Sequence, residues 1–192
     1  HEHLGYDSAK PLDTFFRRHA MTMIDIERLP IKGGSLRGTV QLAQGPGTVS
    51  PSVPSIIASE KNLGIHTAAP FKAFTERMDT TRNELTKLLS ELKAKGMTIA
   101  GYGAAQPNTT MLFHFDLGDT LSFLVDDDPK NQERFSPGHH IPVLAPDAIY
   151  QRNPDYVLIL AWRYSEPIIK KHQAYLDQGG HFITPMPKVE II

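Results

Sequence analysis

The stretch MTIAGYGAAQPNTT, residues 97–110, decides the fold. A short apolar run, MTIAGYG, ends in Gly101-x-Gly103 and gives way to Asn108, Thr109 and Thr110, which open a helix expected over about 108–117. The same alternation continues downstream. LSFLVDDD (121–128), HIPVL (140–144), YVLILAW (156–162) and HFITPMP (181–187) are short apolar strands, with helices expected at 146–150 and 166–178. Strands that are apolar throughout, each returned by a helix, describe a parallel sheet covered on both faces. The fold class is α/β: a Rossmann-like three-layer domain with a parallel sheet.

The residues upstream form its lead-in. Thr67 is placed to cap the longest helix, which Gly96 ends. Its apolar residues Phe71, Phe74, Met78, Leu85, Leu88, Leu89 and Leu92 fall on one stripe, read as core. Before it, Ser8 is placed to cap a helix running to about His19, with Leu12, Phe15 and Phe16 on its apolar face. MTMIDIERL (21–29) and SLRGTVQLA (35–43) then alternate as an antiparallel hairpin, with Gly33 and Gly34 in the turn. QGPGTVSPSVP (44–54) reads as a linker. A helix from about Ser52 to Asn62, closed by Gly64, follows. The expectation is one domain over 1–192: an arm of helix, hairpin and linker at 1–66, then the long helix and Rossmann-like sheet at 67–192.

Composition excludes several classes. The chain has 192 residues, 20 basic and 21 acidic, and no cysteine. Balanced charge argues against nucleic acid or an anionic membrane as partner. The absence of cysteine removes disulfides, thiol nucleophiles and cysteine metal sites. The apolar runs are far shorter than a bilayer span. A cytoplasmic location is expected.

In an open parallel sheet, ligands gather at the carboxyl edges of strands, where helix N-termini present amide protons. Gly101 and Gly103 permit close backbone approach there, Ala104 follows them, and Asn108 and Thr109 offer side-chain donors. As a dinucleotide fingerprint the turn is incomplete, because the third glycine would fall at Gln106. Asp126 closes the next strand at the position where an acidic group takes a ribose hydroxyl, while Asp127 and Asp128 read as solvated turn residues. Trp162 and Tyr164, just beyond YVLILA, sit at another carboxyl edge, where the tryptophan is placed to stack on a base or sugar. His139, His140 and the pair His1 and His3 lack the spacing of a zinc site, so no metal is expected. His114, His172 and His181 read as packed or solvated. No Gly-x-Ser-x-Gly elbow or phosphate-binding Gly-Lys-Ser/Thr occurs.

HEHLGYDSAKPLDTFFRRHAMTMIDIERLPIKGGSLRG, SVPSIIASEKNLGI, IAGYGAAQPNTTML, VDDDPKNQERFSPGHHIPV, PDYVLILAWRY and GGHFITPMP occur in that order. Together they resemble the C-terminal domain of the sugar C-methyltransferases, over essentially all 192 residues. Those enzymes use S-adenosylmethionine to methylate a carbon beside the ketone of a nucleotide-linked 4-keto deoxysugar. The resemblance implies that the upstream methyltransferase domain of the same chain binds the cofactor, and that none is bound here. It also implies that His1 to His3 are the last three residues of the family's Tyr-His-Glu-His segment. His3 is then the general base, with Glu2 in the same catalytic segment and the tyrosine just ahead of His1, so that the sequence begins within a catalytic loop. The Rossmann-like half would bind the nucleotide-sugar through Gly101, Gly103 and Ala104, with Asn108 and Thr109 donating. Family members commonly carry lysine or arginine in this turn, where this chain has Gln106 and Pro107. Arg37 would supply positive charge from the hairpin instead.

A second class stays open at this point. Gly101-x-Gly103 with Asp126 also suits a free-standing dinucleotide-binding domain of an NAD-type oxidoreductase, or a nucleotide sensor.

Overall fold

The computed structural model describes residues 5–31 and 34–192. His1, Glu2, His3 and Gly33 lie outside the described residues. Two units are distinguished, His1–Glu76 and Arg77–Ile192.

In the first unit, α1 (Ala9–Arg18), β1 (Met21–Leu29), β2 (Ser35–Leu42) and α2 (Ser52–Leu63) share a small core. It consists of Ala9, Met23, Ile26, Val53 and Ile56. The hairpin is antiparallel, pairing Met21 with Leu42 and Leu29 with Ser35. With so thin a core, polar ties carry much of the local order. The buried Glu60 carboxylate accepts the amides of Ala9 at 2.5 Å and Lys10 at 3.0 Å. It thereby does what Ser8 was expected to do, for Ser8 holds the N-cap position without a side-chain bond. A carboxylate at the positive end of a helix makes a stronger cap than a neutral hydroxyl.

The segment read as a linker has no helix or strand between β2 and α2, and it is fastened to the hairpin. The Gln41 carboxamide donates to Gly45 O at 3.2 Å and Gly47 O at 2.8 Å, and accepts from Gly47 N at 2.8 Å. Gly64 closes α2 in the left-handed conformation, as expected. Thr67 donates its hydroxyl to Gly64 O at 2.8 Å.

The long helix is α3 (Ala69–Ala94). Leu85, Leu89 and Leu92 are buried, but Phe71 and Phe74 are 61% and 53% exposed. The expected core stripe therefore stops short. Helical spacing fixes which side chains share a face, while cover depends on what packs there.

The second unit holds a seven-stranded sheet in the order β5-β6-β4-β3-β7-β8-β9. Its strands are β3 (Ile99–Tyr102), β4 (Leu124–Val125), β5 (Arg134–Phe135), β6 (Pro142–Leu144), β7 (Tyr156–Ile159), β8 (His181–Thr184) and β9 (Glu190–Ile191). The central five are parallel, and β5 and β9 close the edges antiparallel. The edge strands were not anticipated, because two residues are too few to show a pattern. Between the strands run α4 (Gln106–His114), α5 (Ala148–Arg152), α6 (Ser165–Lys171) and α7 (Gln173–Asp177).

Continuous apolar strands have the cause that was expected, a helical layer on each face. Ile99, Leu158 and Leu160 join Leu85, Leu89, Leu92 and Leu112 on one side. Ala100, Tyr102, Val157 and Ile159 join Ile149, Ile168 and Tyr175 on the other. The helix expected at 166–178 is broken at His172, whose φ of −110° and ψ of 33° leave the helical region.

β4 lies on one side of β3 and β7 on the other, so the chain reverses its direction of travel across the sheet at β3. Open α/β sheets form a crevice at such a switch point. The sheet closes tightly beneath it. A Cβ on Gly101 would lie 2.5 Å from Leu124 Cδ2, 3.1 Å from Leu121 Cδ1 and 3.3 Å from Leu160 Cδ1. With three leucines converging, Gly101→Ala should destabilise the chain by about 1–3 kcal/mol in urea unfolding. Adding Leu124→Val should recover part of that loss. A neutral Gly101→Ala would overturn this account of the glycine.

Candidate functional site

The crevice at the switch point has a volume of about 360 Å³, and Tyr102, Gly103, Asn108, Asp127, Tyr164 and Lys171 are among its lining residues. Gly103 turns the chain out of β3 with a φ of 106°, a conformation that side chains rarely adopt. A Cβ there would also lie 2.5 Å from Asn108 Nδ2 and 2.8 Å from Ala161 Cβ. Pro107 lies in the first turn of α4, where a missing amide proton costs nothing.

The amides of this turn are largely committed within the protein. Gly103 N donates to Val125 O at 2.7 Å and Asn108 N to Ala105 O at 2.9 Å. Ala104 N donates to Asp126 Oδ2 at 2.6 Å. The other Asp126 oxygen accepts from Asp128 N at 2.9 Å and Asn131 Nδ2 at 3.1 Å. Asp126 is 7% exposed. Its carboxylate thus ties the β3–α4 turn to the loop after β4, and three N–H donors already occupy it. The backbone cradle expected at Ala104 is filled by the protein's own anion. A ribose-binding carboxylate at Asp126 would need its oxygens turned outward, and here they face the chain.

Asp127 is exposed, as expected, and also joins a directional chain of hydrogen bonds. Tyr102 donates its hydroxyl proton to Asp127 Oδ2 at 2.9 Å. That hydroxyl also lies 3.1 Å from His172 Nε2, and His172 Nδ1 lies 3.0 Å from the Tyr150 hydroxyl. Since the single Tyr102 proton goes to Asp127, its oxygen accepts from Nε2–H. The neutral ring then accepts from Tyr150 at Nδ1. Lys171 donates to the remaining Asp127 oxygen, Oδ1.

The electrostatics follow from burial and from these partners. Burial, reinforced by the hydrogen bond to Asp127, raises the Tyr102 pKa well above the ordinary tyrosine value. Burial pulls Asp127 upward, but the bonds from Lys171 and Tyr102 outweigh it and hold the carboxyl below its usual range. Burial, with Lys171 nearby, lowers the His172 pKa against the opposing pull of Asp127 and Asp147.

The other expected site residues fall as follows. Gly101 faces the leucine layer described above, so its role is packing. Thr109 is on α4, half-buried, and Trp162 is half-buried beneath the Arg163 guanidinium, 5.2 Å from the ring centroid. Neither lines the crevice; Tyr164, two residues beyond Trp162, does. Arg37 pairs with Glu27 within the hairpin. His3 and Glu2 lie outside the described residues. Among the described residues, no group of three His, Asp or Glu side chains is arranged to hold a metal ion. No described helix is long and apolar enough to cross a membrane.

Sequence reading placed Tyr164 at this edge but missed the roles of Tyr102, Asp127, Tyr150, Lys171 and His172. Tyr102 is the middle residue of Gly-x-Gly and Asp127 lies in the acidic run, so both stood within quoted motifs. Lys171 and His172 carry no local signal, because only the β7–α6 crossover brings them to β3.

Comparison with known proteins adds an independent finding. Residues 30–187 match the family described as the C-methyltransferase C-terminal domain. The chain is also 32% identical, over 193 aligned positions, to the C-methyltransferase NovU of Streptomyces niveus. That alignment takes in all of this chain and 46% of NovU, so the chain spans about half the length of the curated relative it matches.

The buried histidine makes stability depend on pH. An unfolded histidine takes up a proton near pH 6.5, whereas His172 in the fold does so only at lower pH. Between those two values the unfolded chain binds more protons, so stability falls as pH drops through the window. Urea unfolding from pH 7 to 5 should show this fall, and His172→Gln should reduce its slope by up to one proton. An unchanged slope would exclude His172 as its source.

Proposed function

The chain belongs to the C-methyltransferase C-terminal domain family, and from that membership we propose that it binds the nucleotide-sugar substrate of a sugar C-methyltransferase. The substrate class is a nucleotide-linked 4-keto deoxysugar. The observation that carries the reading is the coincidence of this family with an open crevice at the sheet's switch point, where α/β domains hold nucleotides. Asn108 and Tyr164 border that crevice with an amide and a hydroxyl suited to a sugar and its nucleotide.

The chemistry is methylation at the carbon next to the ketone. An imidazole with an ordinary pKa near 6.5 is well matched to removing that proton at neutral pH. His3 takes this role, with Glu2 beside it. The C–H bond breaks, the proton passes to the imidazole, and the electron pair remains as an enolate whose carbon forms the new C–C bond. S-adenosylmethionine, held by a domain beyond this chain, supplies the electrophilic methyl group and leaves as the neutral thioether. Alignment of the two partners within roughly 3–3.5 Å depends on that other domain, so residues 1–192 alone bind substrate without methylating it. The dinucleotide reading is not favoured, since the Asp126 carboxylate is bonded to its own turn.

In the full-length enzyme, His3→Ala should abolish methyl transfer while leaving nucleotide-sugar affinity within a few-fold. Wild-type turnover in the variant would overturn the base assignment. Calorimetry should give binding heat with dTDP or UDP and none with NADH, and the opposite result would overturn the substrate class.

A further inference from the structure

We infer that Lys171 is the residue that grips phosphate oxygens in the crevice, exchanging its partner Asp127 for them when a nucleoside diphosphate binds. The inference rests on the proposed nucleotide-sugar reading and identifies the charge that reading requires. An anion entering the crevice finds much of the turn's backbone already engaged. Gly103, Ala104 and Asn108 donate their amides within the protein, and Pro107 has none. The carboxylate of Asp126 lies beneath Ala104, which makes that point of the turn unfavourable for phosphate. A side-chain cation is then the strongest partner the crevice can offer a diphosphate, and among the described lining residues Lys171 is that cation.

The arrangement around Lys171 suits exchange. Its ammonium is paired with Asp127 through Oδ1, and the two side chains are 53% and 51% exposed. Ion pairs at this exposure contribute little, so parting them costs little. Asp127 does not follow when the lysine leaves. Its other oxygen is held by Tyr102, whose hydroxyl is fixed in turn by the buried His172 and through it by Tyr150. The flexible lysine stem with three donors is the movable half of the pair, and a diphosphate offers it more negative charge than one carboxylate oxygen does. Asp126 and Asp127 both border the crevice, so loss of Lys171 would leave it with negative charge that repels phosphate.

Opposite signs are therefore expected from the two halves of the pair. In the full-length protein, Lys171→Ala should weaken dTDP binding, measured by calorimetry, by about tenfold or more. Thymidine, which carries no phosphate, should bind as it does to wild type. Lys171→Arg should stay within a few-fold of wild type, and Asp127→Asn should bind dTDP a few-fold more tightly. Pyrophosphate should displace dTDP from wild type, and added salt should weaken wild type more steeply than Lys171→Ala. Undiminished dTDP affinity in Lys171→Ala overturns this inference alone, as does failure of pyrophosphate to displace dTDP. A wild-type protein that binds neither dTDP nor UDP overturns the functional reading together with this inference.

Discussion

One carboxylate organises the carboxyl edge of the sheet. Asp126 reaches from the end of β4 under the turn that leaves β3, and binds Ala104 N on one oxygen and Asp128 N and Asn131 Nδ2 on the other. The backbone carbonyl of Asp126 takes a further bond from Gln132 Nε2 at 2.9 Å. A buried carboxylate is tolerated only when its lone pairs are met, and here two loops meet them. The left-handed conformation of Gly103 and the entry to α4 follow from that anchor. Because the anchor is itself an anion, it also decides what the turn cannot do, since a phosphate on the same amides would face a fixed negative charge.

Side chains from other elements border the crevice beside this turn. Asn108 projects from the first turns of α4, and Tyr164 and Lys171 come from the segment after β7. These elements flank the crevice without taking part in the sheet. Below them the strands are packed so closely that Gly101 has no room for a methyl group. The crevice thus has a rigid floor and a rim of separately replaceable groups, an arrangement that allows ligand preference to change without disturbing the fold. Tyr102 connects the two levels. Its ring packs with the helical layer of α5, α6 and α7, while its hydroxyl reaches Asp127 at the rim.

The layers of the fold were legible because burial on both faces leaves a signature that survives in any one strand. YVLILAW and MTIAGYG are apolar on both sides since Val157 and Ile159 face one helical layer and Leu158 and Leu160 the other. Turns marked by glycine, at Gly64 and Gly103, were legible for the same reason: the backbone required them. What escaped depended on contacts between segments distant in sequence. Glu60 substitutes for Ser8 across fifty residues, and Gln41 fastens an apparent linker, though neither residue differs in type from an ordinary surface side chain. The burial of α3 was misjudged toward its N-terminus because a helical stripe states direction and not cover. The turn after β3 does border a crevice, but its amide at Ala104 is not open to a ligand. Gly-x-Gly announced a cradle, and only the approach of β4 to β3 reveals that Asp126 fills it.

The same topology explains why an apparently structural histidine belongs to the argument about ligand charge. His172 interrupts the helix that follows β7, and its ring is fixed at both nitrogens by tyrosines from β3 and α5. Held neutral by burial, it donates to Tyr102, so that the one proton of Tyr102 is directed to Asp127. Asp127 is then an acceptor fixed in place, and Lys171 rests against it until a stronger acceptor arrives. Were His172 charged, it would add a second cation behind Tyr102 and draw on Asp127 from within. A neutral buried ring therefore keeps the mobile positive charge at the mouth of the crevice, on the side chain that is able to move.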